Sequence, residues 1–163
     1  MKQILIAFAL ITAAVAQTNT PAITAIVTAS TFGGYLNTAS PGSYIEIYGA
    51  NLAGTSRVWA TGDFRGADAP TTLDGVTVSI NGTAAFVNYV SPGQVNAEVP
   101  DTIAAGNATV VVSYKGQSSA AATMTINPLQ PGLLAPVAFK VNGNQYVAAL
   151  HARGKKSDAS LWG

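Results

Sequence analysis

The chain of 163 residues has no cysteine, one histidine and little charge of either sign. Without cysteine, disulfide stapling is excluded even in an oxidising compartment, and so is lipid attachment at a processed N-terminus. With one His, a zinc site would need carboxylates almost exclusively, against the preference of that metal for nitrogen and sulfur. Charged residues make up 9% of the chain, against about 25% in ordinary soluble domains. Eight Lys/Arg against seven Asp/Glu leave a net charge of +1, so no basic field is available to hold a phosphate backbone. Nucleic acid is therefore not an expected partner. The phosphate-cradling strings Gly-x-x-x-x-Gly-Lys-Ser/Thr and Gly-x-Gly-x-x-Gly are absent too. Hydrophobic residues nonetheless reach 48%, and with no staple available the core alone must stabilise the fold. About 110 residues of sandwich suffice, since a domain of that size buries around two-thirds of its unfolded surface.

Residues 1–17 read MKQILIAFALITAAVAQ. One cation, Lys2, precedes an apolar run from Ile4 to Ala16 that closes on Ala14-Val15-Ala16. These are the three parts of a secretory leader, with cleavage expected after Ala16. The run is too short for a transmembrane helix, which needs about 20 residues, and no second spanning run follows. The mature chain is expected to be soluble and extracellular or periplasmic.

The remainder alternates with period two between Gly, Pro and Asn punctuation, with almost no 3.6-residue pattern. Residues 22–29 read as a strand. After Pro41-Gly42, residues 43–48 point Ile45 and Ile47 one way and Tyr44, Glu46 and Tyr48 the other. The break at 49–52 assigns a positive φ to Gly49 and an Asx-type turn to Asn51. Residues 53–72 read as a long loop with one short strand at 58–60. Val76, Val78 and Ile80 alternate with Thr77 and Ser79. Asn81-Gly82 then predicts a type I′ hairpin into a strand over 83–90. Further strands are expected at 94–99, 108–114 and 118–126, the last two joined around Lys115-Gly116-Gln117. Seven or eight short strands with turns every 8–12 residues predict an all-β, antiparallel immunoglobulin-like sandwich. The expected core is Ile23, Ile45, Ile47, Val76, Val78, Ile80, Val95, Val99, Val110, Val112, Met124 and Ile126. Residues 129–132 read as a linker, 138–150 as one more hairpin around Asn142-Gly143, and 151–163 as an irregular, poorly ordered tail.

Five segments carry a family resemblance: 41–48, PGSYIEIY; 49–52, GANL; 70–82, PTTLDGVTVSING; 89–100, YVSPGQVNAEVP; and 106–112, GNATVVV, in that order and spacing. They resemble the Solibacter-type C-terminal domain of secreted acidobacterial proteins, whose first half is similar to the IPT/TIG group of immunoglobulin-like folds. The resemblance covers roughly residues 20–150. It implies an exported module appended to other extracellular parts, with no activity or catalytic residue in its motif. The family runs on into a second β-rich half. Residues 149–152 still look like that family, but the sequence from Arg153 does not. A truncated second half is therefore expected, with residues 133–163 not folding independently.

Candidate chemistry is sparse. His151 lies in the irregular tail, without the rigid neighbours a catalytic arrangement needs. Glu46 and Glu98 form the only glutamate pair and could support glycoside hydrolysis, although each sits on an alternating strand whose ordinary role is a solvated face. Asp63, Asp68 and Asp74 offer hard oxygens for calcium, too few to close a site, and aspartates beside glycine commonly form turns. The row Gln94, Asn96 and Glu98 is the polar face of an amphipathic strand. Asn81-Gly82-Thr83 and Asn107-Ala108-Thr109 match the N-glycosylation pattern, but turns explain both. The strongest candidate is a binding face. Tyr44, Glu46 and Tyr48 point outward, Trp59 and Phe64 follow in the adjacent loop, and rings beside polar groups suit a protein or sugar partner. The competing role for these rings is to cover the sheet or to pack on the missing second half.

The sequence thus predicts a leader over 1–16, a sandwich over 17–128, a linker and truncated second half over 129–150, and a tail over 151–163. The reading is a secreted, non-enzymatic accessory, spacer or interaction module without metal or cofactor. The alternative is an extracellular carbohydrate-binding module using Tyr44, Glu46, Tyr48 and Trp59.

Overall fold

A computed structural model describes residues 19–29, 37–130 and 140–145. In chain order the strands begin with β1 (Ala22–Thr28), β2 (Thr38–Ala39), β3 (Tyr44–Ala50), β4 (Arg57–Val58), β5 (Thr72–Leu73), β6 (Val76–Ile80) and β7 (Thr83–Ala84). They continue with β8 (Phe86–Val90), β9 (Gln94–Glu98), β10 (Gly106–Tyr114), β11 (Gln117–Ser118), β12 (Ala122–Ile126), β13 (Lys140–Val141) and β14 (Asn144–Gln145). One sheet has the order β1-β3-β9-β8-β4, and the other β2-β12-β10-β6-β5, with β7 on β6 and β11 on β10. This is the all-β immunoglobulin-like sandwich that the alternation predicts. No helix among the described residues is long and apolar enough to cross a membrane.

Strand alternation fills the space between the sheets. Ile45 and Ile47 of β3 are fully buried opposite Ala97 and Val95 of β9. Val76, Val78 and Ile80 of β6 lie opposite Tyr114, Val112 and Val110 of β10. Every residue of the expected core is buried except Ile23, which is half-buried and packs against its edge. The core also takes in Ile26, Leu52, Leu73, Val87, Val90 and Ile103.

The hairpin turns follow backbone chemistry. Asn81 and Gly82 have φ of 49° and 80°, the two positive values a type I′ turn requires. Asn81 is held further by Thr109, whose amide donates to its Oδ1 at 2.8 Å. Lys115-Gly116 and Asn142-Gly143 turn the same way, and so does Asp74-Gly75 between β5 and β6, a hairpin not among the expected ones. At the end of β3 the positive φ falls on Asn51, at 58°, and not on Gly49. Gly49 serves close approach instead: a Cβ there would collide with the Ala22 carbonyl of β1.

Several boundaries differ from expectation. The strand expected over 83–90 divides, because at the fully buried Ala85 the chain leaves β6 and crosses into the other sheet as β8. The strand expected over 118–126 is interrupted at buried Ser119, whose Oγ accepts the Val112 amide at 3.1 Å and keeps that donor satisfied. The short loop strand is Arg57–Val58, not 58–60. One pair is parallel: β2 lies beside β12, with Thr38 opposite Thr125 and Ala39 opposite Ile126. No crossover helix is needed, because the N-terminal segment simply changes sheets between β1 and β2. The expected hairpin around Asn142-Gly143 is present as β13 and β14. The expected leader, residues 30–36, 131–139 and 146–150, and the expected tail with His151 lie outside the described residues.

Candidate functional site

Three adjacent strands, β3, β9 and β8, carry the outer face of the first sheet. Register sets its rows. Tyr44 is opposite Glu98 and Glu98 opposite Phe86; Glu46 is opposite Asn96 and Asn96 opposite Tyr89; Tyr48 is opposite Gln94. A register shift between Val87 and Tyr89 places Asn88 as a bulge, so Phe86 and Tyr89 share the outer face although they are three residues apart. A polar stripe from β9 therefore runs between tyrosines on one side and two further rings on the other.

The face is internally bonded on both β3 and β9. Tyr48 Oη donates to Glu46 Oε2 at 2.6 Å, and Gln94 Nε2 donates to Asn96 Oδ1 at 2.8 Å. The bond to Glu46, with partial burial and the carboxylate charge, pushes the Tyr48 phenol up to about 12. Burial, then the charge and hydrogen bonding of Glu98, push Tyr44 upward as well. Both phenols are consequently neutral donors across the physiological range. Glu46 and Glu98 are diagonal neighbours on this open face, the ordinary solvated placement weighed above.

Trp59 stands apart. Its amide donates to Asn88 O at 2.9 Å beyond β4, the far edge strand. Three strand spacings separate it from β3, about 14 Å. Its ring packs on the core margin and against Phe64, with centroids 5.0 Å apart at 59°. Trp59, Ala60, Thr61, Phe64 and Gly66 line an open cleft of 490 Å³. Asp63, Arg65, Asp68, Thr71, Thr72 and Phe86 contribute to a second cleft, of 340 Å³. The structure thus brings Tyr44, Glu46 and Tyr48 together and puts Trp59 in a different site.

Arg57 holds the loop in shape. Its guanidinium donates to both carboxylate oxygens of Asp63, at 2.8 and 2.9 Å, and through Nε to Asp74 Oδ1 at 2.9 Å. Asp63 Oδ2 also accepts the Ala60 amide at 2.7 Å, and Thr55 Oγ1 donates to Asp74 Oδ2 at 2.6 Å. Two of the three aspartates considered for calcium are engaged by an arginine. Among the described residues no group of three or more His, Cys, Asp or Glu is placed to hold a metal.

The Arg57 bonds, reinforced by the Ala60 amide, lower Asp63 from 3.8 to about 2, and Arg57 followed by Thr55 lowers Asp74. For a depressed carboxylate the stabilisation is complete above the unfolded value and is lost as pH falls through the folded one. The clamp should therefore be intact above about pH 4 and open as pH approaches 2. A carbon-13 titration should place the Asp63 midpoint near 2 in the native chain and return it toward 4 in Arg57→Gln. A native midpoint near 4 would refute the clamp.

Sequence reasoning missed Phe86, Tyr89 and Arg57. Strict alternation sends Phe86 and Tyr89 to opposite faces, and only the Asn88 bulge reunites them. The partners of Arg57 lie six and seventeen residues away, and no local pattern announces them.

No curated protein matches the chain by sequence. Among solved structures, a gamma-CGTase from alkalophilic Bacillus clarkii is similar at a TM-score of 0.46 and 15% identity, covering 68% of this chain and 12% of that one. A proposed bacterial DNA-binding protein from Bacteroides vulgatus ATCC 8482 is similar at a TM-score of 0.40 and 18% identity, covering 71% of this chain and 50% of that one. The chain thus spans an eighth and a half of their respective lengths. The family profile described as IPT/TIG domain matches residues 21–126, from one residue before β1 to the last residue of β12. With both sheets inside that match, the chain belongs to the IPT/TIG domain family.

Proposed function

We propose that the chain is an exported, non-catalytic accessory or interaction module of the Solibacter type, processed after Ala16. One observation carries this reading: several of its polar side chains are engaged with one another in fixing the shape of an immunoglobulin-like frame. Arg57 holds Asp63 and Asp74, Glu46 holds Tyr48, Asn96 holds Gln94 and Asn81 holds Thr109. Groups committed in this way set a surface rather than converge on a reacting atom. In an exporting host, the protein recovered outside the cytoplasm should begin at Gln17. Reducing-sugar release from polysaccharide should stay at the buffer level. Turnover abolished by Glu46→Gln or Glu98→Gln would overturn the non-catalytic reading.

A carbohydrate-binding role is the second reading, favoured by the tilted Trp59–Phe64 pair beside the 490 Å³ cleft and by Tyr48, which is 37% exposed. Rigid rings give contact area at low entropy cost. Retention on insoluble polysaccharide, weakened about tenfold by Trp59→Ala, would support it; equal retention of wild type and variant would remove Trp59 from the site.

A further inference from the structure

The 340 Å³ cleft lined by Asp63, Arg65, Asp68 and Phe86 is held in shape by the backbone. Its rim is fixed by main-chain bonds: the Arg65 amide donates to Asp68 O at 3.1 Å and the Asp68 amide to Arg65 O at 3.2 Å, while Gly66 takes the positive φ of 66° that this tight reversal needs. Its far wall is tied to the sheet, because the carbonyl of buried Pro70 accepts the Val87 amide at 2.9 Å. The half-buried Phe86 ring of β8 lines it. A site held this way enters binding with little ordering entropy left to lose.

Its charges leave no room for an anion. Asp63 shares the single guanidinium of Arg57 with Asp74, so one negative charge is left over beside the cleft, while Arg65 and Asp68, one cation and one anion, are both exposed at the rim with the hydroxyls of Thr71 and Thr72. An anionic ligand would meet repulsion from Asp68 and from that surplus charge. A neutral ring with an apolar face and a rim of hydroxyls meets complementary groups: Phe86 for the face, Arg65 as donor, Asp68 as acceptor, and the threonines as either. Beyond Phe86 the outer sheet face continues, since Phe86 lies opposite Glu98 and Glu98 opposite Tyr44. Two strand spacings, about 10 Å, separate Phe86 from Tyr44, room for a further unit of an extended chain.

We propose that the cleft formed by Arg65, Asp68, Thr71, Thr72 and Phe86 binds one ring of a neutral oligosaccharide, whose chain continues over Glu98 toward Tyr44. This rests on the carbohydrate reading above but relocates the site from Trp59 to Phe86.

The test is an amide chemical-shift titration of the full chain with cellohexaose and with maltohexaose, and with a hexamer of galacturonic acid as the anionic comparison. At least one neutral sugar should shift residues 63–72 and Phe86. Arg65→Met and Asp68→Asn should each weaken binding about tenfold without moving the thermal midpoint, because both side chains are exposed. Shifts confined to Trp59, Phe64 and Gly66 would overturn this cleft and leave the carbohydrate reading standing. Equal binding of the uronate hexamer would overturn neutral-sugar selection. Absence of shifts with both neutral hexaoses would overturn the cleft and the carbohydrate reading together.

Discussion

Ile47→Asp should not fold. Ile47 has no exposed surface and sits on β3, between β1 and β9, facing the second sheet. An ionised carboxylate there would have no partner. A lone buried charge costs more than the whole of a small domain's usual stability, about 5–15 kcal/mol, and a carboxyl that stays neutral instead still leaves its polar atoms unpaired. Ile47→Val, which removes a single methyl, should cost only about 0.5–1.5 kcal/mol. Circular dichroism and urea melts distinguish the cases: collapse of the Asp variant beside a cooperative, slightly earlier Val transition is the expected pair. A cooperative melt of the Asp variant would place Ile47 outside the core.

The second large effect is Gly49→Ala, where available space decides the sign. Where φ is compatible and space is open, replacing glycine with alanine stabilises by about 0.4–1 kcal/mol, because the unfolded chain loses freedom. Gly49 has a compatible φ and lacks the space. Its added Cβ would collide with the Ala22 carbonyl oxygen, come within 3.0 Å of the Ala22 carbonyl carbon and 3.2 Å from Leu52 Cδ2. Backbone cannot swing aside as a side chain can, so β1 must move off β3 at the point where Ile23 pairs with Gly49. Overpacking of this kind costs about 1–3 kcal/mol. Gly82→Ala provides the contrast: nothing lies within 4 Å, but φ is +80°, so strain alone acts and the loss should be smaller. Urea midpoints should rank wild type, Gly82→Ala, Gly49→Ala from high to low. A Gly49→Ala midpoint above wild type would show that β1 does not approach as closely as described.

Much of the frame was legible in the sequence because its signals are local. Alternation over 43–48 sorts Ile45 and Ile47 from Tyr44, Glu46 and Tyr48. Asn81-Gly82 demands positive φ at both residues, and Pro100 ends its strand where a backbone donor is missing. What escaped depends on tertiary context. Ala85 marks a sheet change only because a small side chain can pass through the middle of this particular core. Ser119 replaces a ladder bond only because Val112 lies beside it. Gly49 reads as a turn glycine in the sequence, and the reason for it lies on β1, twenty-seven residues earlier. The candidate site was half legible for the same reason. Tyr44, Glu46 and Tyr48 share a face by simple period, whereas Trp59 is near them in sequence and three strands away in space. Phe86 joins them only through pairing with β9 and the bulge at Asn88.

The parallel pairing of β2 with β12 has a mechanical consequence. Two strands that run the same way slide past each other when the chain before one and after the other is drawn apart. The bonds from Thr125 N to Asn37 O and from Asn127 N to Ala39 O, at 2.6 and 2.8 Å, then bear load side by side. A hairpin pulled at its open end parts one bond at a time, but this pair must yield together. Tension on the two ends of the domain would reach this seam once β1 had parted from β3.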